Sequence, residues 1–120
     1  MTKKEEIVKD KEKAVITPND DLVASKVRKL KPEIKSLIDE GIKELIINLV
    51  YVEVIDSVGI GLLVAAHNSL SKVGGKLLVN EASKDIKDLF KFMRLDHIFV
   101  CSVLNRVAAL RDKDIENGRK

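Results

Sequence analysis

Apolar positions along the chain follow two alternating rhythms. Glu5–Lys9 and Lys13–Thr17 are short segments carrying Ile7, Val8, Val15 and Ile16, with charged Asp10–Glu12 between them. This pattern predicts a hairpin at the edge of a sheet. Pro18-Asn19-Asp20-Asp21 ends the second strand with turn chemistry. Val23, Val27, Leu30, Ile34 and Leu37 then recur at helical steps, and Gly41 closes that helix. Pro32 falls inside the pattern, so either the helix kinks there or its regular part starts near Lys31. Glu44–Val52 contains LIINLVYV, which suits a strand buried on both faces of a parallel sheet. Ile60, Leu63, Val64, Leu70 and Val73 mark a second helix, ended by Gly74-Gly75.

Lys76–Asn80 reads as a further strand. Lys84–Arg94 reads as a third helix with Ile86, Leu89, Phe90 and Met93 inward. Ile98–Cys101 and Val103–Arg111 complete the series as a last strand and helix, with Val103, Val107 and Leu110 inward. The order ββαβαβαβα predicts a small α/β domain. Its sheet is mostly parallel with an N-terminal antiparallel edge hairpin, and helices pack on it. One domain is expected over residues 1–112, followed by a polar tail over 113–120.

Composition narrows the setting. The 120 residues are 45% hydrophobic and 34% charged, a globular composition rather than a disordered or membranous one. No apolar run approaches the roughly 20 residues of a membrane-spanning helix, so no membrane insertion is expected. The N-terminus, MTKKEEIVKDKEK, lacks the apolar core of a signal peptide. A single cysteine, Cys101, excludes an internal disulfide and suits a reducing compartment. These features together place the expected location in the cytoplasm. Aromatic residues are only 3%, with no Trp, which argues against base-stacking platforms and direct nucleic-acid contact.

Enzyme signatures are weak. Asp56, Ser57 and His67 supply triad residue types, but Asp56 adjoins Ser57 in sequence and the context is not G-x-S-x-G. His97 and Cys101 are spaced for ligation only on a helix, and no second Cys/His pair completes a metal site. Gly59-x-Gly61 lacks the third glycine of a dinucleotide loop, and no Gly-Lys-Ser/Thr occurs. No catalytic set, metal or cofactor is therefore expected. Lys26, Arg28, Lys29, Lys31 and Lys35 cluster with only Glu33 opposing. Such a run is either the solvated face of a helix or a patch for an anionic partner.

The informative stretch is Ile55-Asp56-Ser57-Val58-Gly59-Ile60-Gly61-Leu62-Leu63. A buried strand gives way to a helix here, and Asp56 or Ser57 can cap the unpaired N–H groups of the first turn. A hydroxyl at an exposed helix start is also open to phosphorylation. The added charge is tolerated there because the helix dipole and free N–H groups favour it. Ser57→Asp should accordingly change melting little. Gly61→Val should harm the fold if Gly61 marks the closest approach of helix and sheet.

At these residues the sequence resembles the STAS family, the domain of bacterial anti-sigma factor antagonists. The resemblance covers nearly the whole chain and is strongest over Leu45–Val79. Asp56, Ser57, Gly59, Gly61 and Leu63 follow the family pattern Asp-Ser-x-Gly-x-Gly-x-Leu. Lys84–Cys101 resembles the third helix and its exit into the last strand. The resemblance implies a partner switch, not an enzyme. Ser57 would be the phosphoacceptor of an anti-sigma factor with serine kinase activity. The unphosphorylated antagonist would bind that kinase and release a sigma factor, and a PP2C-type phosphatase would reset the phosphorylated form.

Carried over onto these positions, Asp56 would position Ser57 or meet the partner. Val58, Gly59, Ile60 and Leu62 are candidates for the surface around it, with some of them facing the core instead. Asp20 or Asp21 would supply the acidic residue near the partner, although the family's glycine after the second strand is replaced here by Thr17-Pro18-Asn19. The alternative within the family is a scaffold or accessory subunit of a signalling or lipid-transport complex, not controlled by Ser57 phosphorylation.

Overall fold

In the computed structural model, residues 6–96 are described. The elements run β1 (Glu6–Asp10), β2 (Lys13–Thr17), α1 (Ala24–Asp39), β3 (Glu44–Asn48), α2 (Ser57–Lys72), β4 (Lys76–Asn80) and α3 (Lys84–Phe92). The last strand and helix expected from the sequence, Ile98–Cys101 and Val103–Arg111, lie outside the described residues, as does the tail. The four strands form one sheet in chain order, β1-β2-β3-β4. β1 pairs antiparallel with β2 through the Lys11–Glu12 turn, where Lys11 takes a left-handed backbone with φ 56°. β2–β3 and β3–β4 are parallel and are joined by α1 and α2. This is the α/β arrangement expected from the alternation of short β-branched runs with helical stripes.

Side-chain alternation gives the sheet a covered face and a more open one. Ala14, Ile16, Leu45, Ile47, Leu77 and Val79 are buried. They join one core cluster with Val27, Leu30, Ile34 and Leu37 of α1, Ile60, Leu62, Leu63, Ala66 and Leu70 of α2, and Ile86 and Phe90 of α3. The opposite face carries Val8, Val15, Ile46 and Leu78 in register across the four strands. Val8 is exposed and the other three are half-buried. β3 is therefore not enclosed on both faces among the described residues.

β3 is also shorter than its apolar run. Asn48 Oδ1 accepts the Val50 N–H at 3.0 Å, and the Val52 N–H donates to the Leu49 carbonyl. The chain thus turns while its residues still look strand-like. α1 is continuous through the Pro32 position, so its regular part does not start near Lys31. Lys31, Pro32 and Glu33 are all exposed, so the proline ring sits on the solvent side. α1 stops where Gly41 adopts φ 102°, a conformation open to glycine and costly for other residues. α3 ends at Phe92. Phe92 is 86% exposed and Met93 is exposed too, so Met93 does not join the inward set.

Candidate functional site

Two segments meet at the C-terminal ends of the parallel strands: the β2–α1 turn and the β3–α2 loop. Backbone pairing holds them together. The Leu22 N–H donates to the Val54 carbonyl at 3.0 Å, and the Asp56 N–H donates to the Leu22 carbonyl at 3.2 Å. Leu22 and Ile55 form an isolated parallel bridge. Asp21 reinforces the junction: its Oδ1 accepts from the backbone N–H groups of both Glu53 and Val54, at 2.9 and 3.1 Å. Asp20 Oδ1 instead accepts the Asp21 N–H at 2.7 Å, and its other oxygen pairs with Lys26. These contacts, the backbone N–H first, hold the Asp20 carboxyl below its usual range.

Asp56 serves two helices at once. Its Oδ1 accepts the Gly59 N–H at 2.9 Å, capping α2. Its Oδ2 accepts the N–H of Ala24, the first residue of α1, at 3.0 Å. α1 has no side-chain cap of its own, since its N-cap position is Val23. The carboxylate from the neighbouring loop takes that place. The Gly59 N–H is the main cause of the lowered Asp56 pKa; partial burial opposes it, and Ala24 adds to it. The sequence left the capping of α2 open between Asp56 and Ser57, and Asp56 takes it.

Ser57 is the first residue of α2 and is exposed. Capping by Asp56 leaves the Ser57 hydroxyl uncommitted: among the described residues no hydrogen bond takes it up. Val58 is exposed beside it. Gly59, Ile60 and Leu62 are buried; Gly59 and Ile60 face the core and do not present the contact surface expected of them, and Leu62 is reached only from the space between α1 and α2. Helical phase separates the two groups: Gly59, Leu63, Ala66 and Leu70 share the inward face, whereas Gly61, Ala65 and Ser69 point outward.

The two glycines also exchange the roles expected of them. A Cβ at Gly59 would stand 2.2 Å from the Leu22 carbonyl oxygen, so Gly59 marks the close approach. A Cβ at Gly61 would meet nothing within 4 Å. Sequence reasoning missed three exposed apolar residues that lead into Ser57, namely Val50, Tyr51 and Val54. Val50 and Tyr51 belong to the run read as buried strand, and Val54 follows it by two residues. The signal available for them was Asn48, a turn-forming residue that interrupts that run. His67, a candidate for triad chemistry, is half-buried on α2 ten residues beyond Ser57. Asp56 engages backbone N–H groups and not the imidazole.

Comparison with known proteins agrees with this architecture. A family model described as STAS domain matches residues 4–110. The chain belongs to the STAS domain family. Among solved structures it is similar to the anti-sigma factor antagonist SpoIIAA in its unphosphorylated form. That match has 23% identity and a TM-score of 0.65, and covers 74% of this chain and 83% of the other. The Bacillus cell fate determinant SpoIIAA in its phosphorylated form aligns at 20% identity with a TM-score of 0.67, covering 80% and 88%. The Thermotoga maritima protein TM1081 aligns at 21% identity with a TM-score of 0.74, covering 79% and 82%. At these identities the likeness establishes the fold. No curated protein sequence matches the chain. Among the described residues, no helix is long and apolar enough to cross a membrane.

Proposed function

We propose that this chain is a cytoplasmic anti-sigma factor antagonist that works as a phosphorylation-controlled partner switch. It acts as a binding protein, not an enzyme. Its unphosphorylated form binds an anti-sigma factor with serine kinase activity and so releases a sigma factor. The observation that carries this reading is the division of labour at the start of α2: Asp56 caps the helix, and Ser57 stands exposed with its hydroxyl unengaged. Val58 beside the serine and Val50, Tyr51 and Val54 in the loop that leads into it are exposed apolar residues of the kind a protein partner covers. Similarity to a fold solved in both unphosphorylated and phosphorylated forms adds support.

In the transfer step, Ser57 Oγ forms a bond to the γ-phosphorus of ATP held by the kinase. The bond from that phosphorus to the β,γ-bridging oxygen breaks, ADP leaves, and the hydroxyl proton passes to a base on the kinase. The phosphoserine carries roughly −1.5 to −2 charge at a helix N-terminus, where dipole and N–H groups accommodate it. The partner's apolar or acidic surface then loses its fit. A PP2C-type phosphatase restores the hydroxyl by hydrolysis.

Affinity capture tests this, with wild type, Ser57→Ala and Ser57→Asp as baits in cytosol of the source organism. Bound proteins and the phosphoryl mass of the bait are read by mass spectrometry. A kinase-like anti-sigma factor should be held by wild type and Ser57→Ala and lost with Ser57→Asp, and part of the wild type should carry phosphate on Ser57. Capture of one assembly by all three baits, with Ser57 never modified, would make the chain a scaffold or accessory subunit instead.

A further inference from the structure

A groove of about 520 Å³ runs between α1 and α2 on the outside of the domain. Val27, Ile34 and Ile38 of α1 and Leu62 and Ala66 of α2 form its apolar floor. Its two walls differ. The α2 wall is Val58, Gly61, Ala65 and Ser69, small and uncharged. The α1 wall carries Lys31 and Lys35, with Asp39 at the far end. Lys35 is paired with Asp39. Lys31 makes no ion pair among the described residues. α1 as a whole has five basic residues against two acidic ones, and α2 has no acidic residue at all.

Among the described residues nothing packs against the low α2 wall at Gly61. Gly61 lies inside a helix, where glycine costs roughly 0.5–1 kcal/mol relative to alanine, and its outer side is open. With Ala65 and Ser69 at four-residue steps, it keeps the wall low enough for another backbone to approach closely. The walled stretch from Val58 to Ser69 spans about 16 Å at 1.5 Å per residue, room for roughly three turns of a guest helix.

From these features we infer that the α1–α2 groove docks an amphipathic helix of a protein partner, its apolar stripe on the groove floor and acidic residues along the edge facing Lys31 and Lys35. Charge complementarity selects this guest: a basic flank would meet the unpaired Lys31 and the Lys35 of the Lys35–Asp39 pair, and a neutral one would leave Lys31 uncompensated. The groove opens at Val58, next to Ser57. Negative charge at Ser57 therefore enters the field an acidic guest feels. This inference rests on the reading that the Ser57 end of the domain meets a protein partner. It does not require Ser57 to be modified.

The probe is a synthetic helical peptide of about 18 residues, with leucines along one stripe and glutamates on its flank. Its counterpart carries lysines in place of the glutamates. Amide shifts of the full chain are followed by NMR and affinity by fluorescence anisotropy. The acidic peptide should shift Lys31, Lys35, Gly61, Ala65 and Ser69, and the basic one should not. Lys31→Glu with Lys35→Glu should weaken the acidic peptide by about tenfold or more. Gly61→Leu, a change on an open helix surface, should weaken it without lowering Tm.

Equal binding of both peptides, or shifts confined to other faces, would overturn the inference. So would two copies of the chain joined through this groove in sedimentation, or laurate alone shifting the same amides. If the peptide seats but Ser57→Asp leaves partner capture unchanged, the groove stands and the switch falls. If the peptide fails while Ser57→Asp still abolishes capture, the groove falls and the switch stands.

Discussion

The Asp56 carboxylate accepts a hydrogen bond from the backbone N–H of Ala24, thirty-two residues earlier in the chain. Because the same carboxylate caps α2 through Gly59, the starts of both helices hang on one side chain. Asp56→Ala should lower Tm by several degrees, more than the loss of one ordinary cap, and Asp56→Asn should restore part of the loss.

The same bonds predict a pH dependence. They hold the Asp56 pKa below its ordinary value of 3.8, the Gly59 N–H contributing most. A lowered folded pKa means that the unfolded chain binds the proton more readily. Its stabilisation is complete above the ordinary carboxylate range and is lost as pH falls through the lowered value. The Tm gap between wild type and Asp56→Ala should therefore be widest near neutrality and narrow in acid. An unchanged gap at low pH would mean that the carboxylate charge plays no part.

The two glycines of the motif should respond oppositely. Gly59→Val drives side-chain atoms into the Leu22 carbonyl, and backbone cannot yield as a flexible side chain can. Several kcal/mol of stability should be lost, on the order of 3 or more, or the chain should fail to fold. Gly61→Ala should be neutral or stabilise by roughly 0.5–1 kcal/mol, since its outer side is open and alanine favours the helix. Urea denaturation of both variants reads the contrast.

Ser57→Asp should leave thermal melting nearly unchanged, because the residue is exposed at a helix start that accepts negative charge. Leu63→Ala, six residues on but fully buried, should cost about 2–5 kcal/mol. A comparable loss in Ser57→Asp would show that the serine is structural and would remove the basis for a switch there.

Asp21 makes a kinetic prediction. Its carboxylate holds the N–H groups of Glu53 and Val54. Asp21→Ala should speed hydrogen exchange at those two amides selectively, with little change in the β3 amides. Uniform acceleration across the sheet would instead mark Asp21 as a support of the whole fold.

Much of this architecture is legible in the sequence because it rests on local periodicity. The hairpin, both crossovers and β4 follow from β-branched runs and helical stripes that agree with their neighbours. The end of β3 is not legible in this way. Leu49 to Val52 keep a strand's composition, while the Asn48 side chain bends the backbone. Val50 and Tyr51 were hidden for the same reason, since apolar content does not distinguish a core strand from an exposed loop. Within the motif, residue types identify the junction, but only helical phase separates Gly59, Ile60 and Leu62 from Ser57 and Val58. The second bond of Asp56 is tertiary, and nothing near Ala24 in the sequence announces it.

The sheet order, identical to chain order, bears on how the protein is made. Each new strand joins the edge left by the one before it, so the domain can grow by accretion as the ribosome delivers it. The hairpin needs only the first few residues, and α1 with β3 extends it. The corner carrying Ser57 closes only when the loop after β3 has emerged and Asp56 can reach back to Ala24. A nascent chain halted within α1 would thus have the hairpin and only the first of the two segments that form this corner. The proposed ability to engage a partner would be acquired only after β3 has been made, once the start of α2 has emerged near the middle of synthesis.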